Sequence, residues 1–281
     1  MKKTGLVLEG GAVRGIYTAG VLDVFMENDI TFDGVIGVSA GAIHGCSFCS
    51  HQHGRSIRYY QNYIDNPRFM SFKSLIKTGN ICETEFCYQE IPEKLDPYDY
   101  EALESNPVEF YVTCSNLETG KGEYIRIRTM RPDEIDFLRA SASMPLVSHI
   151  VEKGGMKLLD GGISDSVPLK AFVRMGFKKD VVVLTRQAGY RKDPSSALPY
   201  ELMYHKYPNF VKACRRRHIN YNYTMDLIDR LESEGKIYVI RPSRNPGIGR
   251  LEKDHGKIQE VYELGRKDAE EKLAGLKEFL G

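Results

Sequence analysis

Hydrophobic and polar positions alternate between two periods along this chain. Residues 4–8 form a short apolar run closed by Gly10-Gly11, which predicts a first β-strand. Residues 15–26 then carry Ile16, Ala19, Val21, Leu22, Phe25 and Met26 at helical spacing. A second strand is predicted over 33–37, followed by a buried helix of small and apolar residues over 40–48. Residues 55–66, 71–77 and 84–89 predict short surface helices rich in Tyr and Phe. Residues 109–115 alternate as a strand, and 122–128 alternate as its hairpin partner. Pro132-Asp133-Glu134 opens a helix, because proline and acids suit a first turn. A short strand over 157–159 runs into Asp160-Gly161-Gly162, ahead of a helix starting near Val167. The strongest β-branched run is 181–185, and 236–240 is a further strand. Residues 189–199 predict a long loop, and 251–279 a long, charged terminal helix.

Strands separated by helices predict an α/β fold with three layers, a mainly parallel sheet covered by helices on both faces. No repeat or low-complexity linker divides the chain, so a single domain over 1–281 is expected, with core motifs at 4–185 and a helical and strand extension at 200–281.

Composition narrows the class. Hydrophobic residues make up 42% and charged residues 27%, as in ordinary globular proteins. A formal net charge of +1 gives no global field to recruit nucleic acid or an anionic membrane. There is no apolar run of about 18 residues, so no transmembrane helix is expected. Lys2-Lys3 precedes an apolar stretch too short for a secretory signal, and Glu9 interrupts it; a cytoplasmic location is the expectation. Cys46-x-x-Cys49 lies in the predicted buried helix and lacks the second Cys-x-x-Cys that a zinc site needs. Buried free thiols are expected there, and neither a metal nor another cofactor is.

Three segments carry chemistry. Gly37-Val38-Ser39-Ala40-Gly41 is a G-x-S-x-G string between a predicted strand and helix. A tight strand-to-helix turn presses the residues two before and two after Ser39 together, so both must be small. The turn pushes the hydroxyl into the open. A small-residue turn with a capping serine would have the same composition. Glu9-Gly10-Gly11-Ala12-Val13-Arg14-Gly15 also links a strand to a helix. It lacks the glycine spacing of a dinucleotide fingerprint, and the Lys then Ser or Thr of a phosphate-binding loop. It suits an oxyanion hole, in which glycines let backbone N–H groups approach a developing negative oxygen. Asp160-Gly161-Gly162 is a carboxylate before two small residues, a pattern common in plain turns too.

These segments, in this order, resemble the patatin-like phospholipases. Ala140-Ser141-Ala142-Ser143-Met144-Pro145 is similar to the family segment that precedes the aspartate, so the resemblance spans roughly residues 4–183. The C-terminal third is similar to a bacterial branch of the family. The resemblance implies a single patatin-like domain and a serine lipid acyl hydrolase acting through an acyl-enzyme. Ser39 is then the nucleophile and Asp160 the proton acceptor. The oxyanion hole falls on Gly10, Gly11 and Ala12 with Arg14 nearby, supported by Gly15, Gly37, Gly41, Gly161 and Gly162. Ala12 stands where plant patatins have glycine, and still offers its N–H provided its φ is negative. Gly162 stands where other members have alanine.

The implied partner is a lipid ester, with transient, peripheral membrane contact; the oligomeric state stays open. The segment Tyr59, Tyr60, Tyr63, Phe69, Met70, Phe72, Leu75 and Ile76 either caps an acyl-chain cleft or packs as an ordinary helical excursion. Arg215-Arg216-Arg217 either meets lipid phosphates or is a solvated helix face. Two alternatives remain beside this reading. One is a non-phospholipid esterase or thioesterase with a Ser-His-Asp triad drawing on His149, His205, His218 or His255. The other is a catalytically silent lipid-binding module.

Overall fold

The computed structural model describes residues 2–281. Its elements are β1 (Lys3–Leu8), α1 (Ile16–Glu27), β2 (Gly34–Val38), α2 (Ala40–Cys49), α3 (Arg55–Tyr63), α4 (Phe72–Thr78), α5 (Tyr100–Ser105), β3 (Glu109–Asn116), β4 (Gly122–Ile127), α6 (Ile135–Ala142), β5 (Val151–Lys153), β6 (Met156–Asp160), α7 (Leu169–Arg174), β7 (Phe177–Val183), α8 (Leu198–Met203), α9 (Pro208–Ser233), β8 (Ile237–Ile240) and α10 (His255–Leu280). They form one mixed sheet in the order β5-β6-β3-β2-β1-β7-β8, with β4 on the other edge of β3. The strands β3, β2, β1, β7 and β8 are mutually parallel, so the sheet is mainly parallel as expected. The antiparallel part is β4, β5 and β6.

Strand alternation sorts the core onto two faces. Leu6, Leu8, Val35, Val181 and Val183 join the cluster that holds α1, α2 and α10. Val7, Ile36, Val182 and Val239 join the opposite cluster with Phe172 of α7 and Met225 and Ile228 of α9. The third layer thus depends on the C-terminal segment. α10 lies on α1 with little space between the backbones: a Cβ on Gly20 would stand 2.1 Å from the Tyr262 carbonyl oxygen, and one on Gly265 would stand 2.1 Å from that of Tyr17. Buried hydrogen bonds from Tyr17 to Asp268 and from Tyr262 to Asp23 tie the same two helices.

Several elements differ from the sequence expectation. The helix expected at 84–89 is a wide helix over Phe86–Leu95, with Pro92 inside it. Proline has no N–H for the α-helical ladder, so the turns widen rather than stop. The expected surface helix at 55–66 buries Arg55, Ser56, Tyr59 and Tyr60, because α2 covers one of its faces. The terminal helix starts four residues late, at His255, where Asp254 caps it by accepting the Lys257 N–H. β5 and α5 were too short to show a period. All six cysteines are free, with Cys46 and Cys49 buried in α2.

Candidate functional site

β3 brings Ser39 and Asp160 together. Its one edge pairs with β4 through residues 110–115. Its other edge pairs with β2 up to Val38↔Thr113, and with β6 from Cys114↔Asp160 onward. The ends of a parallel and an antiparallel strand therefore meet head to head on consecutive β3 residues. Ser39 follows one end and Asp160 is the other.

Ser39 is strained. Its φ of 54° and ψ of −123° lie where a residue with a side chain is rarely found. The turn tolerates only small neighbours. A Cβ on Gly37 would come within 2.6 Å of the Ala42 backbone, and one on Gly41 within 2.6 Å of the Leu8 and Glu9 carbonyl oxygens. The end of α6 fixes both partners. The Ser39 N–H donates to Ser141 Oγ at 2.9 Å, and that hydroxyl donates to the Thr113 carbonyl at 2.7 Å. The Asp160 N–H donates to the Ser143 carbonyl at 2.8 Å. Ser141 and Ser143 belonged to the motif read in the sequence, but their anchoring role had no sequence signal.

Asp160 is buried, and burial raises its pKa. Opposing this are the Ser39 hydroxyl, the positive charges of Arg217 and Arg250, and the Gly162 N–H, which donates to Oδ1 at 2.7 Å. A Cβ at position 162 would lie 3.0 Å from that oxygen, so a small residue belongs there.

The glycine loop passes beside Ser39. Gly10, Gly11, Ala12 and Arg14 line the same cavity as Ser39 and Asp160, a space of about 1220 Å³ including its open mouth. The Gly10 N–H makes a long bond of 3.4 Å to the Ser166 carbonyl, and the Arg14 N–H bonds the Gly11 carbonyl at 3.2 Å. The N–H groups of Gly11 and Ala12 have no partner among the described residues. Ala12 has a φ of 50°, so the proviso of a negative φ is not met; its N–H stays available all the same, because nothing in the loop bonds it. That φ lies in the left-handed region, which costs a side-chain residue about 1–2 kcal/mol. Gly15 lets the loop close onto α2, since a Cβ there would stand 2.6 Å from Ala40 Cβ. Gly161 packs similarly against the Thr113 carbonyl.

The sequence missed half of this cavity. Arg186, Tyr190 and Lys192 enter it from the loop between β7 and α8, Tyr221 from α9 beside Arg217 of the arginine run read in the sequence, and Arg250 from the loop before α10. Glu9 is buried beneath them, accepting hydrogen bonds from Tyr221, the Thr185 N–H and the Thr185 hydroxyl. The arginine run is divided: Arg215 is exposed and pairs with Glu201, whereas the Arg217 Nε donates to the Gly162 carbonyl at 2.5 Å. None of His149, His205, His218 or His255 lines the cavity. His149 and His205 bond the Thr78 and Leu202 carbonyls, and His255 sits on Asp65 and Gln61.

With this geometry in place, comparison with known proteins is decisive about kinship. The profile described as patatin-like phospholipase matches residues 6–173, well over half of the chain. The chain belongs to the patatin-like phospholipase family. A second profile, a domain of unknown function (DUF6363), matches residues 207–281, the stretch that supplies Arg217, Tyr221 and Arg250. An uncharacterized protein of Escherichia coli, YjjU, is 27% identical over 94% of this chain and 75% of its own length. A lysophospholipase of Aspergillus oryzae, nte1, is 26% identical over 94% of this chain, but the match spans only 17% of that much longer protein. Among solved structures, VipD of Legionella pneumophila matches with a TM-score of 0.41 and 13% identity, covering 96% of this chain and 67% of its own. That likeness is too distant to add to the reading.

Replacing Ser141 by Ala leaves the buried Ser39 N–H without its acceptor. We expect Ser141→Ala to lose about 1–3 kcal/mol of stability in urea unfolding. It should also lower kcat on any ester more than it raises KM, because the elbow is loosened rather than the cleft.

Proposed function

We propose that this chain is a serine lipid acyl hydrolase in which Ser39 and Asp160 act as a dyad. The observation that carries the reading is the head-to-head junction on β3, which puts a strained serine against a buried carboxylate in a cavity with unpaired loop amides. In the first step Asp160 accepts the Ser39 proton as the hydroxyl oxygen attacks the ester carbonyl. The Gly11 and Ala12 N–H groups stabilise the oxyanion, with Arg14 adding positive potential. The alcohol leaves with the proton from Asp160. Water, deprotonated by the same carboxylate, then releases the acid and restores Ser39. An aspartate is a weak base at neutral pH, and burial is what raises its basicity here.

A lipid ester fits the apolar surroundings. Phe72, Ile81, Met144, Leu146 and Val147 form one wall of the cavity. A second, largely apolar cavity of about 810 Å³ is lined by Tyr59, Tyr60, Phe69, Met70 and Ile43, of which Ile43 lies one turn along α2 from Ser39. We assign it to the acyl chain. The lysophospholipase named among the relatives is consistent with such a substrate. We take the whole chain as one domain, since β8, α9 and α10 complete the sheet, its cover and the cavity.

No helix among the described residues is long and apolar enough to cross a membrane. Two helices at the cavity mouth do present apolar side chains to solvent: α4 with Phe72 and Ile76 (87% exposed), and α8 with Leu198, Leu202 and Met203. We propose that this rim rests on the lipid surface during turnover.

Three outcomes check these readings. Ser39→Ala and Asp160→Asn should each reduce hydrolysis of a monoacyl lipid at least about 10³-fold while the protein stays folded; activity retained in Asp160→Asn would sink the dyad. Because Asp160 works ionised and its pKa is raised, kcat/KM should fall on acidification at a higher pH than for a surface aspartate, near 4. Arg217→Gln should move that acid limb higher still. For the rim, Ile76→Asp with Leu202→Asp should lower hydrolysis of vesicle lipid severalfold more than that of a short-chain soluble ester; equal losses would remove the membrane contact.

A further inference from the structure

Five cations line the Ser39 cavity: Arg14, Arg186, Lys192, Arg217 and Arg250. They come from four separate stretches of chain, so no local charge run explains them. Among the described residues none of the five forms an ion pair. Their sequence neighbours do: Arg191 holds Asp226 and Asp229, Arg215 holds Glu201, Arg241 holds Asp229, and Arg244 holds Glu260. Carboxylates are thus close at hand in this region and are kept away from the cavity. Only Glu9 and Asp160 oppose the five, and Glu9 is already held by Thr185 and Tyr221.

The cations are also partly desolvated. Arg14 is 8% exposed, and its Nε is buried with no hydrogen-bond partner. Burial, then the charges of Arg186 and Arg250, push its pKa down to about 10. Lys192 lies with its Nζ 4.3 Å from the centre of the Tyr221 ring. Burial and then Arg217 push its pKa down to about 7. Like charges gathered away from water destabilise the fold unless a counter-charge arrives. In a chain of net charge +1, such a cluster marks a site for an anion.

The same cavity is also lined by the apolar Phe72, Ile81, Met144, Leu146 and Val147, so the anion belongs to an amphipathic ligand. We propose that the cavity selects acyl esters whose head group is a phosphomonoester dianion, such as a monoacylglycerol phosphate. The assignment rests on the hydrolase reading above and names its substrate class. A phosphomonoester carries about −1.5 to −2 charges and three acceptor oxygens at neutral pH. Arginine forks match those oxygens in pairs, and a bound dianion favours the charged form of Lys192 that burial opposes. A phosphodiester carries one negative charge, and a choline head adds a cation that the cluster repels. An uncharged glycerol head leaves the cluster without a counter-ion.

The test compares kcat/KM for a monoacylglycerol phosphate, the matching monoacyl phosphocholine lipid and the monoacylglycerol, all with one acyl chain. Wild type and Arg186→Gln/Arg250→Gln are used, and calorimetry measures inorganic phosphate binding to each. Wild type should prefer the phosphomonoester at least about tenfold over both others, the worth of one added charge-assisted hydrogen bond. In the double variant the preference should fall toward parity and phosphate binding should weaken. Equal turnover of the three lipids with phosphate still bound would mark a site for free phosphate and overturn the head-group assignment. Equal turnover without phosphate binding would overturn the anion site altogether. Turnover of none of the three would instead refute the hydrolase reading, a failure distinct from loss of preference.

Discussion

The structure depends on how one edge of β3 is shared. β2 uses it as far as Thr113 and β6 takes over at Cys114, so two strands end against each other with no gap. Everything chemical follows from that junction. It sets a hydroxyl from one strand end against a carboxylate from the other, and it is locked from behind by α6. Ser141 spans it, accepting from the Ser39 N–H and donating to the Thr113 carbonyl. Ser115 adds a second clasp, donating to the Asp160 carbonyl. Ladder hydrogen bonds on a central strand resist displacement, so the ends that carry Ser39 and Asp160 are held by the sheet.

Around the junction the fold tolerates several unfavourable arrangements. Ser39 and Ala12 both adopt positive φ. Asp160 is buried with a raised pKa, and Arg14 is buried with an unpaired Nε. These costs meet in one cavity, and others lie elsewhere: buried His44 and Asp180 keep unpartnered polar atoms, and Asp29, His51 and Met130 also adopt positive φ. Strain and poorly compensated charge concentrated at one place are the physical mark of a site kept for binding or chemistry.

The parts of this arrangement that leave a local steric trace were legible in the sequence. Gly37 and Gly41 flank the elbow because backbone approaches within 2.6 Å of where a Cβ would stand, and the glycine loop reads for a related reason. The α/β layering followed from strands separated by helices. What depends on distant segments meeting was hidden. Arg186, Lys192 and Arg250 sit in loops whose polar composition looks like any surface, and Arg217 lay in a run indistinguishable from its exposed neighbours. The φ of Ala12 stayed open, because sequence shows that a residue has a Cβ, not which φ the loop imposes. The helix expected at 84–89 runs on to Leu95 as a wide helix that holds Pro92.

The most direct test of the account is a fluorophosphonate adduct located by peptide mass spectrometry, with its rate of formation measured in wild type and Asp160→Asn. The account predicts one adduct, on Ser39, forming at least about 10²-fold more slowly once the carboxylate is removed. An adduct on another residue, or an unchanged rate in Asp160→Asn, would contradict it.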